Sequence, residues 1–474
     1  MTEPHLLTAL EQAAAMATGE LSPVELAQHY LRRIDTADQA VGAYLTVTAD
    51  LALEQAARAE DQLLAARREG TELPPLFGVP VPVKDLTEVE GVPFTRGSAA
   101  YRDEKGELDD HVVTRLREAG TVLLGKTNTP EFGLPCYTEN RIAPPTHNPW
   151  APGRSPGGSS GGAAAAVAAG LAPLAHGTDA GGSIRIPAAV CGLVGFKPGR
   201  GRISNGPSRP DVTGLSVHGA LARDMADAAA LIDAMSGLMP GDVYTAPPHP
   251  DGLTLLDHAG RPPRPLRVAG LKAPLVSDAI LHPDCAAAYD HAVQLLSNLG
   301  HEVEELEMPP DDDLVDTFAR VLSIEAASHP LEAGRHAELT PFTAYLRDRA
   351  DSVTARQYHA ALATFRGLGQ MLTDLLLSAY DVILSPTVAE PAPLIGELSS
   401  LEPAAAFTRM TAFMPYTALY NITGMPAVSL PLHWNHAGLP SGVMLAGGHG
   451  QESVLASLGA QLQQAAPDGP GLPY

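Results

Sequence analysis

The stretch Gly157-Gly158-Ser159-Ser160-Gly161-Gly162, followed by Gly177-Thr178-Asp179-Ala180-Gly181-Gly182-Ser183, decides how this chain is read. Ser159 and Ser183 each follow a pair of glycines. Glycine admits backbone conformations closed to other residues and brings no side chain to block a ligand, so both hydroxyls are candidates for a reactive role. Blander readings fit less well. A Walker loop needs Lys directly after its last glycine, whereas Ser159 and Ser183 are followed by Ser160 and Ile184. A dinucleotide loop needs an acidic residue at a set distance after a strand, and none can be placed. A flexible linker would not continue into the near-pure helix former of residues 163–169, which stops at Gly170. Gly157-x-Ser159-x-Gly161 and Gly158-x-Ser160-x-Gly162 also fit the nucleophile elbow of α/β-hydrolases. Such matches arise easily in a run this rich in Gly and Ser. The elbow also needs an acid and then a His downstream, and none of the 17 histidines lies in surroundings that single it out.

The base is better sought among the lysines. Only Lys84, Lys105, Lys126, Lys197 and Lys272 are lysines among 31 basic side chains, and Arg cannot give up a proton near neutral pH. Lys84 follows Phe77-Gly78-Val79-Pro80-Val81-Pro82-Val83, an apolar run that reads as a buried strand, edge or irregular because of its two prolines. Burial disfavours the ammonium form and lowers a lysine pKa, which leaves an amine able to accept a proton. Lys105 and Lys272 lie in polar or loop-like surroundings and read as solvated charges. Lys126, in Gly125-Lys126-Thr127-Asn128, and Lys197, in Gly195-Phe196-Lys197-Pro198, stay open at this point.

Taken together, residues 157–162, 168–174 and 177–189 with Cys191-Gly192-Leu193-Val194-Gly195-Phe196-Lys197-Pro198 resemble the amidase signature family. The flanks agree: Gly78-Val79-Pro80-Val81-Pro82-Val83-Lys84-Asp85, Gly125-Lys126-Thr127-Asn128-Thr129-Pro130-Glu131-Phe132, Asn148-Pro149-Trp150 and residues 424–431. The resemblance covers most of the chain. It implies a Ser-Ser-Lys triad with Ser183 as nucleophile, Ser159 as bridging serine and Lys84 as general base, and no histidine. It further implies an oxyanion hole of the Ala180, Gly181, Gly182 and Ser183 backbone N–H groups, and a cis bond between Gly158 and Ser159. Gly158, Ser160 and Thr178 would support the site, Gly133 and Leu134 would line the substrate pocket, and Asp179 and Arg185 read as a structural ion pair. The segment Phe413-Met414-Pro415-Tyr416 reads as core packing or as another pocket wall. The chemistry agrees with this assignment. An amide carbonyl under attack becomes a tetrahedral alkoxide that needs fixed, unobstructed donors, and Ser-Lys versions of acyl transfer are known on several folds.

The expected fold is α/β: an amidase-signature fold with a mixed, largely parallel twisted sheet covered by helices on both faces. Residues 1–474 read as one unit, with a signature core at 70–235, a Pro/Gly-rich surface linker at 239–266, and a variable helical region at 278–400 that would shape the substrate pocket. Ser22-Pro23-Val24-Glu25 is a capping box that opens a helix to about residue 34. Further helices are expected near 51–68, 110–118, 283–299 and 355–378, and strands near 121–124, 267–270 and 381–385.

A net charge of −23 with no basic cluster argues against nucleic acid and acidic membrane surfaces as partners. There is no apolar run of about 18 residues and no basic-apolar leader, so a soluble, cytoplasmic protein is expected. Cys136, Cys191 and Cys285 suggest neither a disulfide framework nor a zinc knuckle, and no metal or cofactor is expected. Cys191 lies in an apolar stretch and reads as core filling rather than as a thiol nucleophile. The resemblance implies hydrolysis of small-molecule carboxamides through an acyl-enzyme as the leading function, with anilides, cyclic oligoamides, esters and carbamates as candidate substrates. A glutaminase subunit of a tRNA-dependent amidotransferase and a non-catalytic binding protein on the same fold are the alternatives. The expected partner is a small amide, and a homodimer stays open.

Overall fold

The computed structural model describes residues 3–208, 211–249, 251–466 and 469–474. Short, mostly apolar runs become the strands, with a charged, exposed one at the sheet edge: β1 (Tyr44–Val47), β2 (Pro80–Lys84), β3 (Val122–Thr127), β4 (Leu174–Asp179), β5 (Val194–Lys197), β6 (Val217–Ala222), β7 (Arg267–Gly270), the edge strand β8 (Glu302–Glu305), β9 (Val382–Pro386), β10 (Ala427–Trp434) and β11 (Pro440–Ala446). They form a three-stranded sheet, β1-β3-β2, and an eight-stranded one, β4-β6-β5-β10-β11-β9-β7-β8.

The break between the sheets follows from two prolines. Val79 O and Asp85 N bond β3, through Val122 N at 2.9 Å and Thr127 O at 3.2 Å. By alternation, the backbone groups of residues 80, 82 and 84 point the other way, towards β4, against which β2 packs. Pro80 and Pro82 have no N–H to give. Lys84 N alone reaches across, donating to the His176 side chain on β4 at 3.3 Å. The two sheets therefore abut without a ladder, and Lys84 sits at the seam.

The mixed α/β class holds, with a smaller parallel share than the alternation of helices and strands suggested. Among the described strands, β2/β3, β7/β8 and β7/β9 are parallel, and six pairings are antiparallel. β10 and β11 form a hairpin closed by Asn435 N to Leu439 O at 2.9 Å, and β6 runs antiparallel to both β4 and β5.

Helix boundaries follow local signals. Ser22 and Glu25 form the expected capping box, but the helix runs Pro23–Val41 and stops at left-handed Gly42. Asp35, Thr36 and Asp38 are weak helix formers but not breakers, and burial of Ile34 and Val41 carries the helix through them. Helix Gly161–Ala168 is buried along its whole length, as its all-round apolar sequence requires. A Cβ on Gly162 would come within 2.4 Å of Asn128 N, so glycine alone lets this helix lie against β3's continuation. The Pro-rich connection at 239–266 contains a short helix, Leu255–Ala259, capped by Thr254, and buries Leu255 and Leu266. Pro250 within it lies outside the described residues. Among the described residues no helix is long and apolar enough to cross a membrane.

Candidate active site

Four segments meet at the seam: the end of β2, the turn before helix Gly161–Ala168, the end of β4, and the turn before helix Arg185–Cys191. Lys84 is fully buried. Its Nζ lies 2.8 Å from Ser159 Oγ, 3.0 Å from Thr178 Oγ1 and 3.3 Å from Thr178 O. Burial pushes the Lys84 amine well below its ordinary pKa, against the opposing pull of the Asp179 charge. Thr178 O can take an amine N–H, which leaves the Nζ lone pair for the Ser159 hydroxyl.

Among the described residues the remaining lysines make no hydrogen bond to a serine. Lys126 pairs with Asp85 at 2.7 Å, both buried. Lys197 is held by Pro198 O at 2.8 Å, and burial, followed by the Arg185 charge, lowers its pKa to about 7. Lys272 pairs with Asp290 in a partly exposed bridge.

The Gly158–Ser159 bond is cis. Ser160 Oγ donates to Thr178 O at 3.0 Å, and Ser160 N donates to Ser183 O at 3.0 Å. Together these bonds hold the two serine turns side by side. A Cβ on Gly158 would collide with the Tyr137 backbone at 2.5 Å. Ser159 and Ser183 line one cavity. Among the described residues no hydrogen bond joins their hydroxyls.

Asp179 and Arg185 form the expected ion pair, both with no exposure, Nη2 to Oδ1 at 2.9 Å and Nε to Oδ2 at 3.0 Å. Burial alone would raise the Asp179 pKa. The Arg185 charge and hydrogen bonds, with help from Lys197 and the Ile184 N–H, overcome that and hold it well below the usual carboxylate range. Asp179 in turn fixes the loop: Gly182 N donates to its Oδ1 at 2.7 Å and Ile184 N to its Oδ2 at 3.1 Å. The sequence reading is corrected here. The Gly182 N–H faces Asp179, because a carboxylate buried under the loop takes the nearest donor, and is not free for an oxyanion. Among the described residues the N–H groups of Ala180, Gly181 and Ser183 have no hydrogen-bond partner.

The cavity measures about 590 Å³. Gly133 and Leu134 line it as expected, and Gly133, at φ 69°, faces Ser159: a Cβ there would lie 3.1 Å from Ser159 Oγ and 2.5 Å from Leu86 Cδ1. Helix Asp312–Ser328 contributes Phe318, Leu322 and Glu325, spaced so that they share one helical face. In the segment read as core or wall, Phe413 and Tyr416 are core while Met414 reaches the cavity.

Sequence reasoning missed several contributors. Asn421 donates to Asp179 O at 2.8 Å and accepts from Arg185 Nη2 at 2.6 Å, and Thr417 Oγ1 donates to Gly181 O at 2.6 Å. His176 Nε2 lies 2.8 Å from His218 Nδ1, and His218 lines the cavity. Their placement depends on strand and helix pairings across the chain, which carry no local signal.

With this geometry in hand, comparison with known proteins is informative. Residues 25–455 match the Amidase family model. The chain is 36% identical over 488 residues to the 6-aminohexanoate-cyclic-dimer hydrolase of Paenarthrobacter ureafaciens, covering 97% of this chain and 94% of that one. A solved structure of 6-aminohexanoate cyclic dimer hydrolase with substrate superposes with a TM-score of 0.89 at 33% identity, over 98% of both chains. A bacterial aryl acylamidase of the amidase signature family shares the fold, with a TM-score of 0.85 at 24% identity over 98% of this chain and 97% of that one. The chain belongs to the Amidase family of amide-cleaving hydrolases.

Proposed function

We propose that this protein hydrolyses small, largely apolar carboxamides by a Ser-Ser-Lys mechanism. Uncharged Lys84 takes the Ser159 hydroxyl proton while Ser159 takes that of Ser183, and Ser183 Oγ bonds to the amide carbonyl carbon. The carbonyl oxygen, now an alkoxide, is met by N–H groups of the Ala180–Ser183 loop, with Ala180, Gly181 and Ser183 as the donors left open. The proton held at Lys84 returns through Ser159 to the departing nitrogen, the C–N bond breaks, and Ser183 carries the acyl group. Water repeats the sequence, releasing a carboxylic acid and restoring the Ser183 hydroxyl.

The observation that carries this reading is the buried Lys84 Nζ at 2.8 Å from a serine hydroxyl that shares a cavity with Ser183. Low dielectric around Lys84 favours the free amine, and Arg in its place could not cycle a proton. Apolar lining and a volume of about 590 Å³ suit an aryl or alkyl acyl group. Cyclic and linear oligoamides related to the relatives' substrate join anilides as the first candidates. The variable helical region at 278–400 is assigned a part in specificity, on the strength of its Phe318, Leu322 and Phe342 in the cavity wall. We place the reaction in the cytoplasm, in keeping with three free, buried cysteines. None of these steps draws on a second chain, and a homodimer is compatible with them.

The test is a panel of anilides, aliphatic amides, cyclic and linear oligoamides, esters, carbamates and glutamine, offered to the purified protein alone and to Ser183→Ala. Turnover of one or more apolar amides that disappears in Ser183→Ala is the expected result. Equal turnover in the variant would remove Ser183 from the chemistry. Turnover of glutamine alone, rising with a co-purified partner, would favour the glutaminase reading.

A further inference from the structure

A chain of hydrogen bonds starting at the main chain of Lys84 ends in the substrate cavity, and its proton positions are fixed from one end. A backbone N–H can only donate, so Lys84 N makes His176 Nδ1 an acceptor. A neutral imidazole that accepts at Nδ1 carries its proton on Nε2. His176 Nε2–H therefore donates to His218 Nδ1 at 2.8 Å, and His218 in turn carries its proton on Nε2. Burial, the largest cause for both rings, lowers both pKa values, that of His218 to about 4, in keeping with neutral rings. His218 is only 7% exposed, its Nε2 has no partner among the described residues, and the residue lines the cavity. With no protein acceptor, this N–H is a donor open to whatever occupies the substrate cavity.

The register of β4 and β6 locates this donor. His218 lies directly opposite Thr178, whose Oγ1 and carbonyl hold Lys84 Nζ. In the proposed mechanism the proton returns to the departing nitrogen by way of Lys84 and Ser159, so the amine half of the amide lies on this side of Ser183. We propose that His218 is a specificity-determining residue, presenting its Nε2–H to a hydrogen-bond acceptor carried by the amine half of the substrate. The substrate class this selects is an amide whose leaving amine bears a nearby carbonyl or similar acceptor, such as a second amide. The inference rests on the proposed mechanism for its direction, while the donor itself rests on geometry alone.

A matched pair of substrates tests it: N-hexanoylglycinamide, with an acceptor in its amine half, and N-propylhexanamide, without one. Wild type is expected to favour the first in kcat/KM on the order of tenfold, the worth of one well-placed hydrogen bond. His218→Phe should bring the ratio close to one. His218→Gln, which can accept from His176 and still donate to the cavity, should keep most of it. The same ratio is read without turnover from the binding constants of the two amides to Ser183→Ala, with and without His218→Phe. Absence of a preference in wild type, an equal loss for both amides in His218→Phe, a ratio unchanged by that variant, or a ratio lost in His218→Gln as well would each overturn the inference. Turnover that persists in Ser183→Ala would instead refute the proposed mechanism, leaving the binding ratio to judge His218.

Discussion

Arg185→Met gives a destabilisation whose size and pH dependence both follow from the structure. The Arg185 side chain has no exposure, and it makes two hydrogen bonds to Asp179, one to Thr417 O at 2.8 Å and one to Asn421 Oδ1 at 2.6 Å. Met fills much of the volume but leaves the Asp179 carboxylate buried without its cation. Breaking a buried pair from one side costs about 3–5 kcal/mol, a large share of a typical total stability of about 5–15 kcal/mol. The pH dependence follows from the shifted carboxyl. In wild type the depressed Asp179 pKa contributes stability above the unfolded carboxyl pKa of about 3.9, which is lost as pH falls through the lower folded value. In the variant burial is opposed only by the Lys197 charge and the remaining N–H donors, the Asp179 pKa rises, and the penalty grows as pH climbs above the carboxylate range. The difference between wild type and variant is therefore largest near neutrality and shrinks towards the acid side. Urea unfolding followed by near-ultraviolet circular dichroism, at pH 8 and pH 4.5, reads both quantities. A loss below about 1 kcal/mol, or one of equal size at both pH values, would refute the role given to this pair.

Lys84→Arg should lower kcat/KM on the best amide about as severely as Lys84→Ala, by about 10²–10⁴-fold, because a permanent cation cannot accept a proton; activity within a few-fold of wild type in the Arg variant would rule out Lys84 as the base. In wild type kcat/KM should rise with pH as the Lys84 ammonium loses its proton, with a midpoint well below that of a solvent-exposed lysine; a profile that titrates only near pH 10 would contradict the proposed free amine. Gly133→Ala forces a left-handed backbone on a residue with a Cβ and crowds Leu86 Cδ1 at 2.5 Å. It should cost about 1–2 kcal/mol in stability, read by thermal denaturation, and reduce turnover by pressing on Ser159.

What was legible in the sequence is what local chemistry can encode. Paired glycines before Ser159 and Ser183 marked the turns, the scarcity of lysine directed attention to Lys84, and Pro80 and Pro82 announced an irregular edge strand. That edge is the seam on which the candidate site is built. The capping box at Ser22 placed a helix start, while the helix end was set too early because Asp35, Thr36 and Asp38 read as an end, although no breaker stands before Gly42 and burial of Ile34 and Val41 carries the helix on. The parallel share of the sheet was overestimated because helices between strands do not say which strands become neighbours. For the same reason Asn421, which clamps Asp179 from 242 positions away, and His218, which meets His176 across 42, could not be found. The Gly182 N–H was misassigned to the oxyanion hole, since only the folded loop shows Asp179 beneath it.

The most direct test of the Ser-Ser-Lys assignment is peptide mapping by mass spectrometry after reaction with an activated serine probe such as a fluorophosphonate. The expected result is a single adduct on Ser183 in wild type, still on Ser183 at a slower rate in Ser159→Ala, and absent in Ser183→Ala. An adduct on Ser159, or one that forms in the absence of the Ser183 hydroxyl, would contradict it.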